Sequence, residues 1–228
     1  MMLTFTVVVP AAGVGSRMGA SCPKQYLPLV GKFLIEHTLE RLLGHPRIER
    51  VVVAIAADDE FFATLPVASH PRILITTGGA ERADSVLQGL ALVESDWVLV
   101  HDAARPCITH QDIDALIHAG LAGDGAILGN RVRDTMKRSD ASGRIQKTVD
   151  RNQLWHALTP QFFRTRHLEA ALQQGLKFGA VITDEASAME LAGWHPLMVE
   201  GRADNLKVTR PEDLALAALF LSQQEASA

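Results

Sequence analysis

The chain lacks most of what a secreted, membrane-bound or nucleic-acid-binding protein needs. Its 228 residues include two cysteines, Cys22 and Cys107. That is too few for a disulfide framework or a zinc site, so reduced thiols and a cytoplasmic location are the expectation. No apolar run is long enough to cross a membrane. No cationic segment followed by an apolar stretch precedes the first strand, and no targeting peptide is expected. Positive charge is not in excess: the formal net charge of −4 argues against a general nucleic-acid surface. Any anion must therefore be met by a local cluster of cations. Repeats and flexible linkers are missing too, and a hydrophobic fraction of 47% suits one soluble globular domain, 1–228.

Two familiar nucleotide loops are also missing from the opening stretch, VVVPAAGVGSRMGASCPKQYLPLVGK. A G-x-G-x-x-G loop starting at Gly13 and Gly15 needs its third small residue at Met18, and the Gly-Lys-Ser/Thr ending of a P-loop does not occur. What is present is a buried-type strand, Val7, Val8 and Val9, ended by Pro10. Then come Ala11, Ala12, Gly13, Val14 and Gly15, whose backbone can turn sharply and offer its amides closely. Arg17 and Lys24 add two cations. Together these describe a cradle for a polyphosphate; the alternative is an ordinary strand-to-loop turn with solvated cations. Cys22 reads as a bystander or as a thiol made modifiable by those cations.

The rest alternates. Helical spacing covers 33–43, 81–93, 112–121, 168–176, 184–191 and 211–221, and a short helix is expected from Asp58. Strand patterns cover 50–56, 72–76, 97–100, 126–128 and 195–199. The implied fold class is α/β, Rossmann-like, with a mostly parallel central sheet and helices on both faces. Between 131 and 159 the alternation breaks. Turn residues 139–143 separate two charged strands, a protruding β-hairpin arm with little apolar material of its own. Thr209 is a plausible cap for the last helix, with Pro211 near its first position, and 223–228 should fray.

In an open α/β sheet, ligands bind beyond the carboxyl ends of the strands. That edge should receive the loops after Val9, Thr77 and Val100. Gly79 suits a close approach there or a simple helix-entry turn. Asp102 suits a ribose hydroxyl, a magnesium-bound water or a helix cap, and Arg105 a phosphate clamp or a surface ion pair. Thr183 precedes acidic residues as an N-cap would. Asp184 and Glu185 read as helix-start charges, and His101 and His156 have no partners at metal-ligand spacing.

The runs AAGVGSRMG and PKQYLPLVGK, followed by GGAERADSV, VHDAARP, VRDTMKR, LWHALTPQ, TDEASAMELAG and NLKVTRPEDL, together resemble the cytidylyltransferases that join CTP to 2-C-methyl-D-erythritol 4-phosphate in non-mevalonate isoprenoid synthesis. The resemblance spans nearly the whole chain. It implies Arg17, Lys24 and Lys207 as the catalytic cations. It implies Ala11, Ala12, Gly13, Gly15, Gly79, Ser85, Asp102 and Ala103 around the nucleotide. Arg105, Thr135 and Thr183 would hold the acceptor phosphate substrate, with Arg151 and Thr159 reaching in from a partner's arm. It further implies a homodimer through the arm, 131–159, and Mg²⁺ held mainly by the CTP phosphates, with Asp102 a possible ligand. Phe33 departs from the break expected after Gly31-Lys32, and no fused downstream enzyme is expected after the last helix. The rival readings are a cytidylyltransferase for ribitol 5-phosphate or another polyol phosphate, an NAD-dependent oxidoreductase, and a nucleotide-binding regulator.

Overall fold

The computed structural model describes residues 3–13 and 22–226. Strands β1 (Phe5–Pro10), β4 (Ile48–Ile55), β5 (Ile73–Thr77), β6 (Trp97–Val100), β7 (Ala126–Arg131), β10 (Trp155–Arg164) and β11 (Leu197–Glu200) form one sheet in the order β11-β7-β10-β6-β1-β4-β5. β2 (Pro28–Leu29) pairs with β3 (Lys32–Phe33), and β8 (Met136–Ser139) with β9 (Ile145–Val149), as separate two-stranded ribbons. All neighbours in the large sheet are parallel except β10, which runs against both β6 and β7.

The β-branched runs work by alternation. Val7 and Val9 of β1, Val51 and Val53 of β4 and Leu99 of β6 bury one face against helices α1 (Leu34–Gly44) and α3 (His110–Leu121). Val8, Val52, Val98 and Val100 bury the other against α2 (Arg82–Leu90), α4 (Thr165–Lys177) and α5 (Glu185–Leu191). A strand packed on both sides needs apolar residues at every position, hence the continuous runs. Helix α6 (Pro211–Ala226) seals a third cluster, in which Ala217 and Leu221 meet Leu29, Leu34 and Cys107.

Several local expectations change. The helix expected from Asp58 is two short 3₁₀ turns, Phe62–Thr64 and Pro66–Ser69, since Pro66 cannot donate to a continuing helix. The Asp59 carboxylate receives the N–H groups of Phe61 and Phe62. Asp184, not Thr183, caps α5 by accepting from the Ser187 N–H. At α6 the capping carboxylate is Asp213, which accepts from the N–H groups of Thr209 and Arg210, and the helix continues to Ala226 rather than fraying from 223.

The main surprise is β10. Its residues 155–159, expected to belong to the arm, are sheet strand: Trp155 pairs with Arg131 and Ala157 with Gly129. Pro160 interrupts the ladder, and the register shifts between Ala157 and Gln161, the irregularity a proline imposes inside a sheet. Because β10 is antiparallel and Gln161 sits opposite Val100, the residues before 161 project past the carboxyl end of β6. This places Thr159 beside Asp102.

The β2–β3 turn is strained. Val30 has φ 46° and Gly31 φ 77°, and a β-branched side chain is poorly tolerated at positive φ. Val30 is also 50% exposed, so it recovers little by burial. Val30→Asn should stabilise the chain by about 1 kcal/mol and raise its thermal midpoint by about 2–4 °C. An unchanged or lower midpoint in a thermal melt counts against the strain.

Candidate active site

Beyond the carboxyl ends of β1, β5 and β6 lies a cavity of about 290 Å³. The loop after β1 contributes Ala11, Ala12 and Gly13, the turn before α2 contributes Gly79, the first turn of α2 contributes Ser85, and the segment after β6 contributes Asp102 and Ala103. Lys24 and Lys207 complete the wall. Gly15 and Arg17, also expected here, lie outside the described residues.

The loops are held by their own polar groups. The Gln25 side chain donates to the Ala11 carbonyl at 2.7 Å. The Ser85 hydroxyl accepts from the Gly79 N–H and donates to the Glu81 carbonyl, at 3.1 and 3.2 Å, so its first duty is to shape the glycine turn. A Cβ on Gly78 would stand 2.6 Å from that of Ala12, and one on Gly79 2.2 Å from that of Asp84. Only glycine permits this approach of the two loops. The Lys24 ammonium reaches the Val208 carbonyl at 3.3 Å, tying the first loop to the segment that carries Lys207.

A second cavity, about 240 Å³, adjoins the first and contains Arg105, Thr159, Gln161, Thr183 and Asp184. Arg82, Asp102 and Lys207 line both cavities and form the wall between them. Asp102 Oδ1 receives Arg82 Nε at 3.1 Å. Its Oδ2 receives Lys207 Nζ at 2.8 Å and, more weakly, Arg105 Nε at 3.4 Å. Burial alone would raise the Asp102 pKa, but Arg82, Lys207 and Arg105 outweigh it and hold the carboxyl well below the usual carboxylate range. Arg105 is itself buried and gives Nη1 to the Asn205 carbonyl at 2.8 Å. Much of its guanidinium therefore serves the protein rather than a ligand, and burial pulls its pKa down.

His101 locks this wall in place. Its Nε2 lies 3.1 Å from the Arg105 carbonyl, which can only accept, so Nε2 carries the proton. Nδ1 then accepts from the Thr159 hydroxyl at 3.0 Å, and that hydroxyl accepts from the Asp102 N–H at 3.0 Å. Burial pushes the His101 pKa down to about 4, keeping the ring neutral as the chain of hydrogen bonds requires.

Thr135 lies outside both cavities, and so does Arg151, which the resemblance assigns to a partner's site. Thr135 and Arg151 are exposed in and beside the arm, where Arg151 donates to the Arg133 carbonyl. Thr159, expected to reach in from a partner's arm, lines the cavity of its own chain through the antiparallel β10.

These residues do not build a cage for a divalent cation. Among the described residues no three His, Cys, Asp or Glu side chains converge, and both oxygens of Asp102 are engaged by cationic side chains. Among the same residues, no helix is long and apolar enough to cross a membrane.

The sequence profile of the 2-C-methyl-D-erythritol 4-phosphate cytidylyltransferase family matches residues 5–223. The chain belongs to this family. A cytidylyltransferase of that name from Aeromonas hydrophila is 67% identical over 222 residues, which cover 97% of this chain and 91% of the relative. One from Tolumonas auensis is 65% identical over 225 residues, covering 98% and 99%. The crystal structure of the Francisella tularensis 2-C-methyl-D-erythritol 4-phosphate cytidylyltransferase superposes with a TM-score of 0.84 at 33% identity, over 95% of this chain and 99% of that one. In this cytidylyltransferase four polar residues in or behind the site have a part there that the sequence alone does not give them. They are Arg82, Glu185, Gln161 and His101. Gln161 links β10 to α5, donating to Asp184 Oδ2 and accepting from the Ala186 N–H, both at 2.9 Å. The one signal available was that all four lie inside or beside the motifs of the resemblance.

Proposed function

We propose that the chain is a nucleotidyltransferase of isoprenoid biosynthesis that makes 4-diphosphocytidyl-2-C-methyl-D-erythritol from CTP and 2-C-methyl-D-erythritol 4-phosphate. The observation that carries this reading is the pair of cavities sharing a wall of Arg82, Asp102 and Lys207. Transfer between two phosphates needs two anions brought together across cations. A phosphate oxygen of the acceptor attacks the α-phosphorus of CTP, the bond from that phosphorus to the α–β bridging oxygen breaks, and pyrophosphate leaves with its electron pair. The nucleophile is already anionic at neutral pH, so no general base is required. The barrier lies in anion repulsion and in charge growing on the α-phosphate, which positioned cations reduce.

On this reading Lys24 and Lys207, with Arg17, stabilise the transferred group. Ala11, Ala12, Gly13, Gly15, Gly79, Ser85 and Ala103 frame the cytidine and the triphosphate. Asp102 positions the cations, and Arg105, Thr159 and Thr183 surround the acceptor. Mg²⁺ would arrive on the triphosphate oxygens and water rather than in a protein cage. Two unpaired cysteines suit a cytoplasmic enzyme.

The arm supports a homodimer. Among the described residues β8 and β9 pair with each other and not with the large sheet, and Ile145 is 68% exposed. Such a ribbon is marginal alone. A second copy would cover it and bring Thr135 and Arg151 to the partner's acceptor cavity. Sedimentation that returns a monomer at micromolar concentration removes this part of the proposal.

The decisive assay is pyrophosphate release from CTP and Mg²⁺ with 2-C-methyl-D-erythritol 4-phosphate present, replaced by ribitol 5-phosphate, or omitted. Release with the first acceptor alone is expected, in keeping with relatives of 55–67% identity that carry one name. Release with ribitol 5-phosphate in its place would correct the acceptor, and no release would remove the transferase reading.

A further inference from the structure

Arg82 sits where a cation is unfavourable. It is the first residue of α2, at the end of the helix whose dipole favours negative charge. It is held there from far away in sequence. Glu185, the first residue of α5, accepts Arg82 Nη1 at 2.5 Å and Nη2 at 3.1 Å in a two-pronged pair. The Glu185 side chain is only 1% exposed, so a buried carboxylate of the second helix layer is committed to holding this guanidinium. Burial works against the Arg82 charge, but Glu185 and Asp102 outweigh it and hold the group fully protonated.

The clamp does not exhaust the guanidinium. Its five N–H groups meet Asp102 through Nε and Glu185 through one bond from each terminal nitrogen, which leaves two donors. The side chain keeps 28% of its surface exposed and lines both cavities. On the other oxygen of Asp102 stands Lys207. One carboxylate thus holds two cations side by side against their mutual repulsion, at the boundary the phosphoryl transfer has to cross.

We infer that Arg82 is a further catalytic residue, which meets the transferred phosphate together with Lys207, and that Glu185 is the positioning residue that fixes the plane of its guanidinium. The inference rests on the transferase reading. Its chemistry is the same in-line displacement, with Arg82 donating hydrogen bonds to non-bridging phosphate oxygens as their charge grows. No proton is transferred and no additional reactant is used.

The test measures pyrophosphate release by the full-length wild type, Arg82→Ala, Arg82→Lys and Glu185→Gln, with turnover expressed per folded molecule from thermal melts. Arg82→Ala should lose about 100-fold or more in kcat with little change in the KM for CTP. Arg82→Lys should recover only part of that loss, because an ammonium cannot engage two carboxylates and a phosphate in one plane. Glu185→Gln, nearly the same size, should lower kcat by less than Arg82→Ala, again without raising the KM for CTP. Dilute guanidinium should restore part of the Arg82→Ala turnover without shifting its melt. If Arg82 only tied α2 to α5, the variants would melt earlier while turnover per folded molecule stayed at the wild-type value. That result, or a loss confined to KM, overturns the inference alone. Absence of release by the wild type overturns the transferase reading and this inference with it.

Discussion

Replacing Asp102 by asparagine is expected to destabilise the chain by about 3–5 kcal/mol and to lower its thermal midpoint by about 10 °C. The carboxylate is the shared counter-charge of Arg82, Lys207 and Arg105. An amide of the same shape cannot neutralise any of them. Arg82 keeps Glu185, and Arg105 keeps the Asn205 carbonyl, but Lys207 loses its ion-pair partner. Removing one member of a buried charge cluster leaves the others desolvated and in mutual repulsion, which is why the cost exceeds that of an exposed ion pair. The ligand response should run the other way. In the wild type an entering triphosphate competes with Asp102 for the cations; in Asp102→Asn it meets cations already released. CTP should therefore raise the midpoint of the variant more than that of the wild type, while turnover falls because the cations are no longer held in register. A thermal melt of both proteins with and without CTP decides it, and equal midpoints without CTP would sink the account.

Acid should weaken the fold well before its carboxylates titrate. His101 has an ordinary pKa of 6.5 that burial lowers to about 4. Between those values the unfolded chain takes up a proton that the folded chain refuses, so stability falls as pH falls from 6.5 to 4. His101 alone contributes a loss on the order of 3 kcal/mol by pH 4. His45, whose pKa burial also lowers against the pull of Asp114, adds in the same direction. Asp102 acts only lower down. Its folded pKa is depressed, so the stability it lends is present above the ordinary carboxylate range and drains away below it. Urea unfolding at pH 7 and at pH 4 measures the difference, and His101→Gln should flatten it. A variant that keeps the full wild-type slope would show that the proton uptake lies elsewhere.

How far these features could be read from the chain varied with how local their causes are. Val7–Val9 and Trp97–Val100 announce buried strands through composition alone, and the alternation of strands and helices places the loops after β1, β5 and β6 at one edge. Ala11, Ala12, Gly13, Gly79 and Ser85 follow from that edge and from the family resemblance. What escaped depended on partners distant in sequence. Arg82 and Glu185 are 103 residues apart; viewed alone, Glu185 looks like a helix-start charge and Arg82 like a solvated cation. The resemblance puts Thr159 on a partner's arm, whereas the long-range pairing of β10 with β6 sets it in a cavity of its own chain. The cap of α5 slipped by one position because threonine and aspartate both cap well, and only the bond from the Ser187 N–H to Asp184 decides between them.

The pairing of Trp155 with Arg131 makes β7 and β10 a hairpin in their own right, and the 132–154 segment is the loop between their ends. The ribbon is thus an insertion at a point where the chain already turns back on itself. Excising it and closing the gap with a tight turn would leave every strand of the large sheet with its neighbours. The segment can consequently drift, lengthen or be exchanged, together with whatever contacts it makes, while the sheet and the loops at its carboxyl edge stay untouched.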